Sequence, residues 1–290
     1  MIASDCVIVF RPFFRGENSN KRKILVMNID IRATDLIPYQ GLHGGGVANH
    51  PDIGSCFICE GRFLVEDAIK ASMQGHLRII SLLCNANQQG EWETKIPHQT
   101  RLISLDSSKL DTLVGFQFHR GVLCCCEIPR EPTEATIIQS KRLLVLPQIE
   151  NVDNLGQLIR TATGLGVSAI LLGKGPSPFT RKCVRVSMGA IWKIPIYKTE
   201  NLGQILDMWL QRFPDNTAEI VGTAVTDNAE SAWQWQPKPM SALVLGSESY
   251  GLDDTWRRKC NRHVRIPMTD QVDSLNLSAA GAILMSKLFC

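Results

Sequence analysis

Arg160 stands six residues after Asn154 in the run NVDNLGQLIRTATGLG (151–166), and no other cation occurs there. Asparagine and glycine at a strand-to-helix junction suggest a nucleotide site. The run is nevertheless neither G-x-G-x-x-G nor a P-loop. Leu155, Leu158, Ile159, Ala162 and Leu165 recur at helical spacing and form the stripe to be buried. Gly156, Arg160 and Gly164 stand four apart on the other face, so the guanidinium is displayed between two residues without side chains. That leaves room for a bulky partner. A solvated surface arginine fits the same pattern, and Asn154 fits equally well as a plain helix N-cap.

Two further elements carry polar groups beside apolar segments. In LVLGSESYGLDD, Gly246 and Gly251 bracket Glu248 just after an apolar strand. Loops at strand C-termini are where open α/β sheets bind ligands, although a tight turn with a solvated glutamate reads the same. In RIPMTDQVDSLNLSAAGAILM, Ser274 is placed to cap the last helix. Asn276 and Ser278 lie in its otherwise apolar first turns. This helix is apolar nearly all round through Leu284, so it must be covered on several sides, and one cover could be another subunit.

The elements that must position these residues fall into two α/β series. From Cys56, CFICEG, LRIISLLC, RLISL and GVLCCCEI read as strands around the helices RFLVEDAIKASMQG and SSKLDTLV. PREPTEATIIQSK breaks the pattern and reads as a linker. A second series then alternates RLLVLPQ, VSAILLG, EIVGTAV, SALVLG and HVRIPM with helices, and its strands are apolar without alternation. That predicts a parallel sheet covered on both faces. The expected division is an N-terminal extension (1–50), a small α/β domain (51–128), a linker (129–140) and a larger C-terminal domain (141–290).

The chain has 290 residues, 44% hydrophobic, with a net charge of +3. This charge permits a nucleic-acid partner without demanding one. No apolar run reaches the roughly 20 residues that span a bilayer, and the N-terminal order is not that of a signal peptide. The expected compartment is the cytoplasm. Of ten cysteines, Cys124, Cys125 and Cys126 are consecutive, a poor disulfide framework because strand neighbours point to opposite faces. Cys56 and Cys59 have C-x-x-C spacing, but no second pair completes a zinc site. The cysteines are expected to be reduced and structural, with no metal.

Taken in order, the three elements resemble the three motifs of the SpoU/TrmH family of RNA ribose 2′-O-methyltransferases, within the SPOUT class. Asn154 to Arg160 matches the first motif and Gly246 to Leu252 the second. Ile266-Pro267-Met268 with Ser274 to Ser278 matches the third. RVSMGAIWKIP (185–195) is also similar to a family segment, and the likeness extends loosely to FICEGRFLVEDAIKA, which resembles a small substrate-binding domain. The family often has glycine where Asp270 stands, which bears on the loop over the cofactor.

The resemblance implies a knotted parallel-sheet C-terminal domain of the SPOUT type, with a trefoil knot that ordinary chain topology would not suggest. It implies S-adenosylmethionine held by backbone groups of the knotted loops, which needs no dinucleotide fingerprint. The contacts expected are Gly246, Ile266 and Leu275, with Thr223 and Ala224 near the methionine or ribose. It implies catalysis by Arg160 with Asn154, Glu248, Ser274 and Asn276 in support. A guanidinium pKa above about 12 argues against a resting neutral base. Phosphate anchoring and stabilisation of the developing alkoxide suit Arg160 better, with proton removal assisted by the RNA. The expected partners are RNA, ribosomal rather than transfer RNA, and a second subunit through the C-terminal helix. A tRNA 2′-O-methyltransferase and a non-catalytic RNA-binding member are the alternatives within the fold. A dinucleotide oxidoreductase lacks its phosphate fingerprint and acidic ribose partner. Arg181, Lys182, Arg185 and Lys193, with Arg257, Arg258, Lys259 and Arg262, could follow phosphates as a group.

Overall fold

The computed structural model describes residues 7–9, 33–42, 46–119, 121–214, 216–223 and 229–288. It divides into two compact units, Met1–Pro129 with Phe179–Arg185, and Arg130–Pro178 with Val186–Cys290.

In the first unit the chain runs β1 (Val7–Val9), α1 (Ala33–Leu36), β2 (Ala48–His50), β3 (Gly54–Glu60), α2 (Arg62–Met73), β4 (Ile79–Asn85), α3 (Gln89–Lys95), β5 (Arg101–Leu105), α4 (Ser107–Val114) and β6 (Val122–Glu127). The sheet order is β1-β5-β4-β6-β3-β2. Only β4 and β5 pair in parallel; the other neighbours are antiparallel. α2 buries Leu64, Val65, Ala68 and Ile69, an amphipathic stripe laid on the sheet. The segment between β4 and β5 contains α3, whose Trp92 is fully buried. Asp106 caps α4, and Gly115 ends it in the left-handed conformation at φ 86°.

β6 shows what a period of two does to three consecutive cysteines. Cys125 joins Cys56, Ile58, Leu83, Leu110 and Tyr39 in one core cluster. Cys124 and Cys126 therefore face the opposite side of the sheet. The β4–β6 ladder slips between Ile79 and Ser81. There the Tyr39 hydroxyl donates to the Ser81 carbonyl at 3.0 Å and accepts from the Cys125 N–H at 3.1 Å, which satisfies the groups the irregularity separates.

The second unit continues with α5 (Glu134–Ile138), β7 (Arg142–Gln148), α6 (Val152–Gly164), β8 (Ala169–Lys174), α7 (Arg181–Ser187, grouped with the first unit through Arg185), β9 (Ile196–Lys198), α8 (Leu202–Gln211), β10 (Ala218–Thr223), β11 (Glu230–Ser231), β12 (Met240–Val244), α9 (Asp254–Lys259), β13 (Arg262–Arg265) and α10 (Leu277–Lys287). All pairings in the seven-stranded sheet, order β11-β13-β10-β12-β7-β8-β9, are parallel. Leu143 to Leu146 in β7 are wholly buried, as a strand covered on both faces must be. The stretch read as a linker is helical in part. α5 packs on α8, and the Trp209 indole N–H donates to the Ser140 carbonyl at 2.7 Å.

Two expectations about the last helix need correction. It begins at Leu277, and its cap is Asn276, not Ser274. The Asn276 side chain sits two residues closer to the free N–H groups of the first turn, and it accepts from Ser278 and Ala279 at 2.9 and 3.4 Å. Leu284 and Met285, expected at a subunit interface, are 1% and 0% exposed within the single chain. α10 packs against α6 closely enough that a Cβ on Gly281 would lie 2.5 Å from the Leu158 side chain. That approach covers Leu284 and Met285 without a second subunit.

Candidate active site

The β7–α6 junction separates two roles that its asparagines could exchange. Asn151 is the N-cap, accepting from the backbone N–H groups of Asp153 and Asn154 at 2.7 and 3.4 Å. This releases the Asn154 side chain for longer-range work, and Asn154 is buried. Its Nδ2 donates to Glu248 Oε1 at 2.9 Å, and its Oδ1 accepts from Asn276 Nδ2 at 3.0 Å. Asn276 Oδ1 in turn accepts from the first turn of α10 and from the Ser278 hydroxyl. The Ser278 hydroxyl also contacts Gln157 Oε1 at 2.5 Å.

Both ends of this relay fix the direction of its hydrogens. An ionised carboxylate only accepts, so Asn154 must present its NH₂ to Glu248. The backbone N–H groups of α10 only donate, so Asn276 must present its oxygen to them. The amide orientations between follow with no freedom left, and the three sequence elements become one hydrogen-bonded unit.

Glu248 also accepts from the backbone N–H groups of Asn151 and Glu150, each at 3.2 Å. Desolvation pushes its carboxyl up. The bonds from Asn154 and from the junction backbone pull it further down, and the net value lies below the ordinary glutamate range. The carboxylate therefore stays ionised and clamps the loop after β7 to the loop after β12. That second loop closes through mutual Ser247–Gly251 backbone bonds of 3.0 Å, with Gly251 at φ 65°. A Cβ on Gly246 would sit 2.2 Å from the Gly251 carbonyl carbon, so the loop tolerates only glycine there. The Ser249 hydroxyl adds a 3.0 Å bond to Glu150.

Arg160 lies outside the relay. It is exposed on α6 and makes no hydrogen bond or ion pair with any described residue. Its glycine neighbours differ: Gly164 is exposed and open, whereas Gly156 is buried. The guanidinium is thus open on one flank only, and Asn154, Glu248 and Asn276 do not hold it. Ser274 is exposed and also outside the relay.

The residues expected at the cofactor gather by topology. Thr223 ends β10, Gly246 follows β12 and Ile266 follows β13, and these strands are neighbours in the order β13-β10-β12. All three residues therefore lie at the carboxyl edge of one parallel sheet, where such sheets take ligands. Leu275 directly precedes the Asn276 cap and is 37% exposed. Ala224 lies outside the described residues. Gly246 also lines a cavity of about 540 Å³ with Pro147, Gly173, Thr199, Tyr250 and Trp256.

Several cations expected to follow phosphates are already engaged. Arg181 and Arg185 pair with the buried Glu60, and Lys259 pairs with Asp207. Arg262 bridges Glu219 and Glu230. Glu219 is buried, and it also accepts from the Lys238 N–H and the Ser241 hydroxyl, so Arg262 completes a structural network. Asn151 and Gln157 are contributors that motif reading passed over. The N-x-x-N spacing was the available signal for the first.

Residues 141–286 match the family model described as the SpoU rRNA Methylase family. A putative TrmH family tRNA/rRNA methyltransferase of Staphylococcus saprophyticus is 30% identical over 237 residues, covering 79% of this chain and 87% of that one. The 23S rRNA (guanosine(2553)-2′-O)-methyltransferase RlmP of Bacillus subtilis is 27% identical over 234 residues, covering 80% and 88%. Among solved structures, the AdoMet-bound rRNA methyltransferase of Sinorhizobium meliloti superposes with a TM-score of 0.65 at 24% identity, over 80% of this chain and 86% of that one. Fold and family match together define an RNA methyltransferase of the SPOUT class. The chain belongs to the SpoU rRNA Methylase family.

Proposed function

We propose that this enzyme methylates a ribose 2′-hydroxyl of ribosomal RNA. The observation that carries the reading is the Glu248–Asn154–Asn276 relay, which ties all three motifs together at the carboxyl edge of the parallel sheet and leaves Arg160 unpartnered beside them. Thr223, Gly246, Ile266 and Leu275, with Ala224, would hold S-adenosylmethionine through main-chain groups. Their gathering on three neighbouring strand ends fits a ligand recognised by backbone. When bound, the cofactor supplies an already activated methyl group, so no metal is required for the transfer.

This chain's residues supply placement and charge. Arg160 binds an RNA phosphate bidentately and stabilises negative charge as it develops on the ribose oxygen. Its permanent charge suits both tasks and makes it a poor base. The proton leaves with assistance from the RNA. Asn154, Glu248 and Asn276 act as positioning residues: they fix α6, the loop after β12 and the start of α10 relative to one another, which in-line geometry requires. Ser274, exposed just ahead of the α10 cap, contacts the nucleotide. The first unit captures structured RNA.

The active form is a homodimer in the cytoplasm, and the C-terminal segment is threaded as a trefoil knot. Among the described residues no helix is long and apolar enough to cross a membrane. The α10 surface left for a partner is the face of Ala279 and Ile283, with Leu275 and Val272 ahead of it. The rRNA preference is supported by the likeness to RlmP over 80% of the chain. Nucleoside mass spectrometry of RNA from cells with and without the gene, followed by site mapping, tests the proposal. An unchanged set of 2′-O-methylated nucleosides in ribosomal RNA would refute it.

A further inference from the structure

Cys124 and Cys126 share one face of the first sheet, opposite that of Cys125. Cys59 lies directly opposite Cys124 in the β3–β6 register. The Cys126 sulfur is 3.7 Å from that of Cys124 and 4.0 Å from that of Cys59, and all three lie within 4.8 Å of one another. Each residue is wholly buried. Cys56 and Cys125 belong to the core on the other face, so the C-x-x-C spacing is divided between the two sides of the sheet. No linear zinc motif marks the group for this reason. The third sulfur comes from an adjacent strand 65 residues away, the difference between positions 59 and 124.

We propose that Cys59, Cys124 and Cys126 form a closed three-thiolate site for copper(I). A cation at the centre of a sulfur triangle, with bonds of about 2.3 Å as in zinc thiolates, holds its ligands about 4.0 Å apart. The two separations of Cys126, 3.7 and 4.0 Å, lie just below and at that value. Zinc takes four ligands. Among the described residues no further His, Cys, Asp or Glu ligand atom falls within the same 4.8 Å grouping, the Asp67 charge acting on Cys59 from outside it, and full burial excludes water as a routine fourth ligand. Copper(I) is soft, favours thiolate and accepts three ligands. Buried cysteine commonly packs as a small hydrophobe, but that role calls for no convergence of three sulfurs from two strands. Loading is a ligand exchange without redox change: three S–H bonds give up their protons to solvent, three Cu–S bonds form, and copper stays monovalent. Protons compete with copper for the three sulfurs, so affinity falls as pH falls. This site is independent of the methyl-transfer reading.

The test uses the full-length chain, reduced and anaerobic. Copper(I) is supplied both to the folded protein and during refolding, so that slow entry cannot mask binding. The expected result is one copper per chain retained against a competing chelator, three sulfur neighbours by X-ray absorption, and a raised melting temperature. Cys126→Ala should lose the copper and the melting shift, whereas Cys125→Ala should keep both. If Cys126→Ala does not fold, Cys59→Ser takes its place, and the wild-type spectrum decides in either case. No copper in wild-type protein by both routes would overturn the proposal. So would a four-ligand spectrum, or retention by the Cys126 variant.

Discussion

Asn154→Ala removes the centre of the relay. Two hydrogen bonds go: one to the Glu248 carboxylate at 2.9 Å and one from Asn276 at 3.0 Å. A neutral bond contributes about 1 kcal/mol and a bond to a charged group about 1.5–3 kcal/mol, while an orphaned buried donor adds its desolvation cost. Glu248 is largely exposed, so water replaces its lost partner and the lower end applies. The expected loss is about 2–3 kcal/mol, roughly 5–10 °C in melting temperature for a unit of this size. The same bond helps to hold the Glu248 carboxyl below its ordinary value. A depressed carboxylate pKa stabilises the fold above the unfolded value, and this contribution fades as pH falls through the folded value. The gap between wild type and variant should therefore be full at neutral pH and shrink below about pH 4. The assay is urea unfolding of wild type, Asn154→Ala, Asn276→Ala and the double variant from pH 3 to pH 8. Residues that share one bond should show a coupling of at least about 0.5 kcal/mol. Strict additivity, or a loss independent of pH, would refute the relay as a coupled unit.

Arg160→Ala should abolish most methyl transfer while cofactor affinity in calorimetry stays within about twofold, and Arg160→Lys should also be poor because a point charge cannot replace the planar fork. Near-normal turnover of the alanine variant would remove Arg160 from the mechanism. Gly246→Val should block S-adenosylmethionine binding by forcing the Gly246–Gly251 loop open, since its Cβ would lie 2.2 Å from the Gly251 backbone; unchanged affinity would move the site elsewhere. Ala279→Glu should dissociate the dimer and lower activity without unfolding the chain, as read by sedimentation alongside methyl transfer. A fully active wild-type monomer at micromolar concentration would sink the dimer claim. Leu284→Glu should instead unfold the second unit, because its position is sealed within one chain.

Much of this protein was legible from residue order because the signals are local. The stripe Leu155, Leu158, Ile159 and Ala162 is buried as its spacing requires, and the unalternating strands form an all-parallel sheet. The ordered motifs around Asn154, Glu248 and Asn276 reported the family because glycine, amide and carboxylate recur there at short spacings. Ambiguity began wherever two nearby residues could serve one role. Asn151 or Asn154 could cap α6, and Ser274 or Asn276 could cap α10. Backbone direction settles such choices to within a residue, and composition does not carry it.

Tertiary structure alone decided what the released side chains do. Asn154 meets Glu248 across 94 residues and Asn276 across 122, and no periodicity encodes contacts of that range. The packing of α10 on α6 buried Leu284 and Met285, which an apolar helix considered by itself would offer to a partner. Ion pairing withdrew Arg181, Lys259 and Arg262 from the basic face that their types suggested. Strand pairing brought Cys59 against Cys124 and Cys126, while the strand period sent Cys125 to the other side. Local pattern determines which residues form an element and which face is buried. The partner on that face depends on sheet order, and sheet order arises only when distant segments pack together.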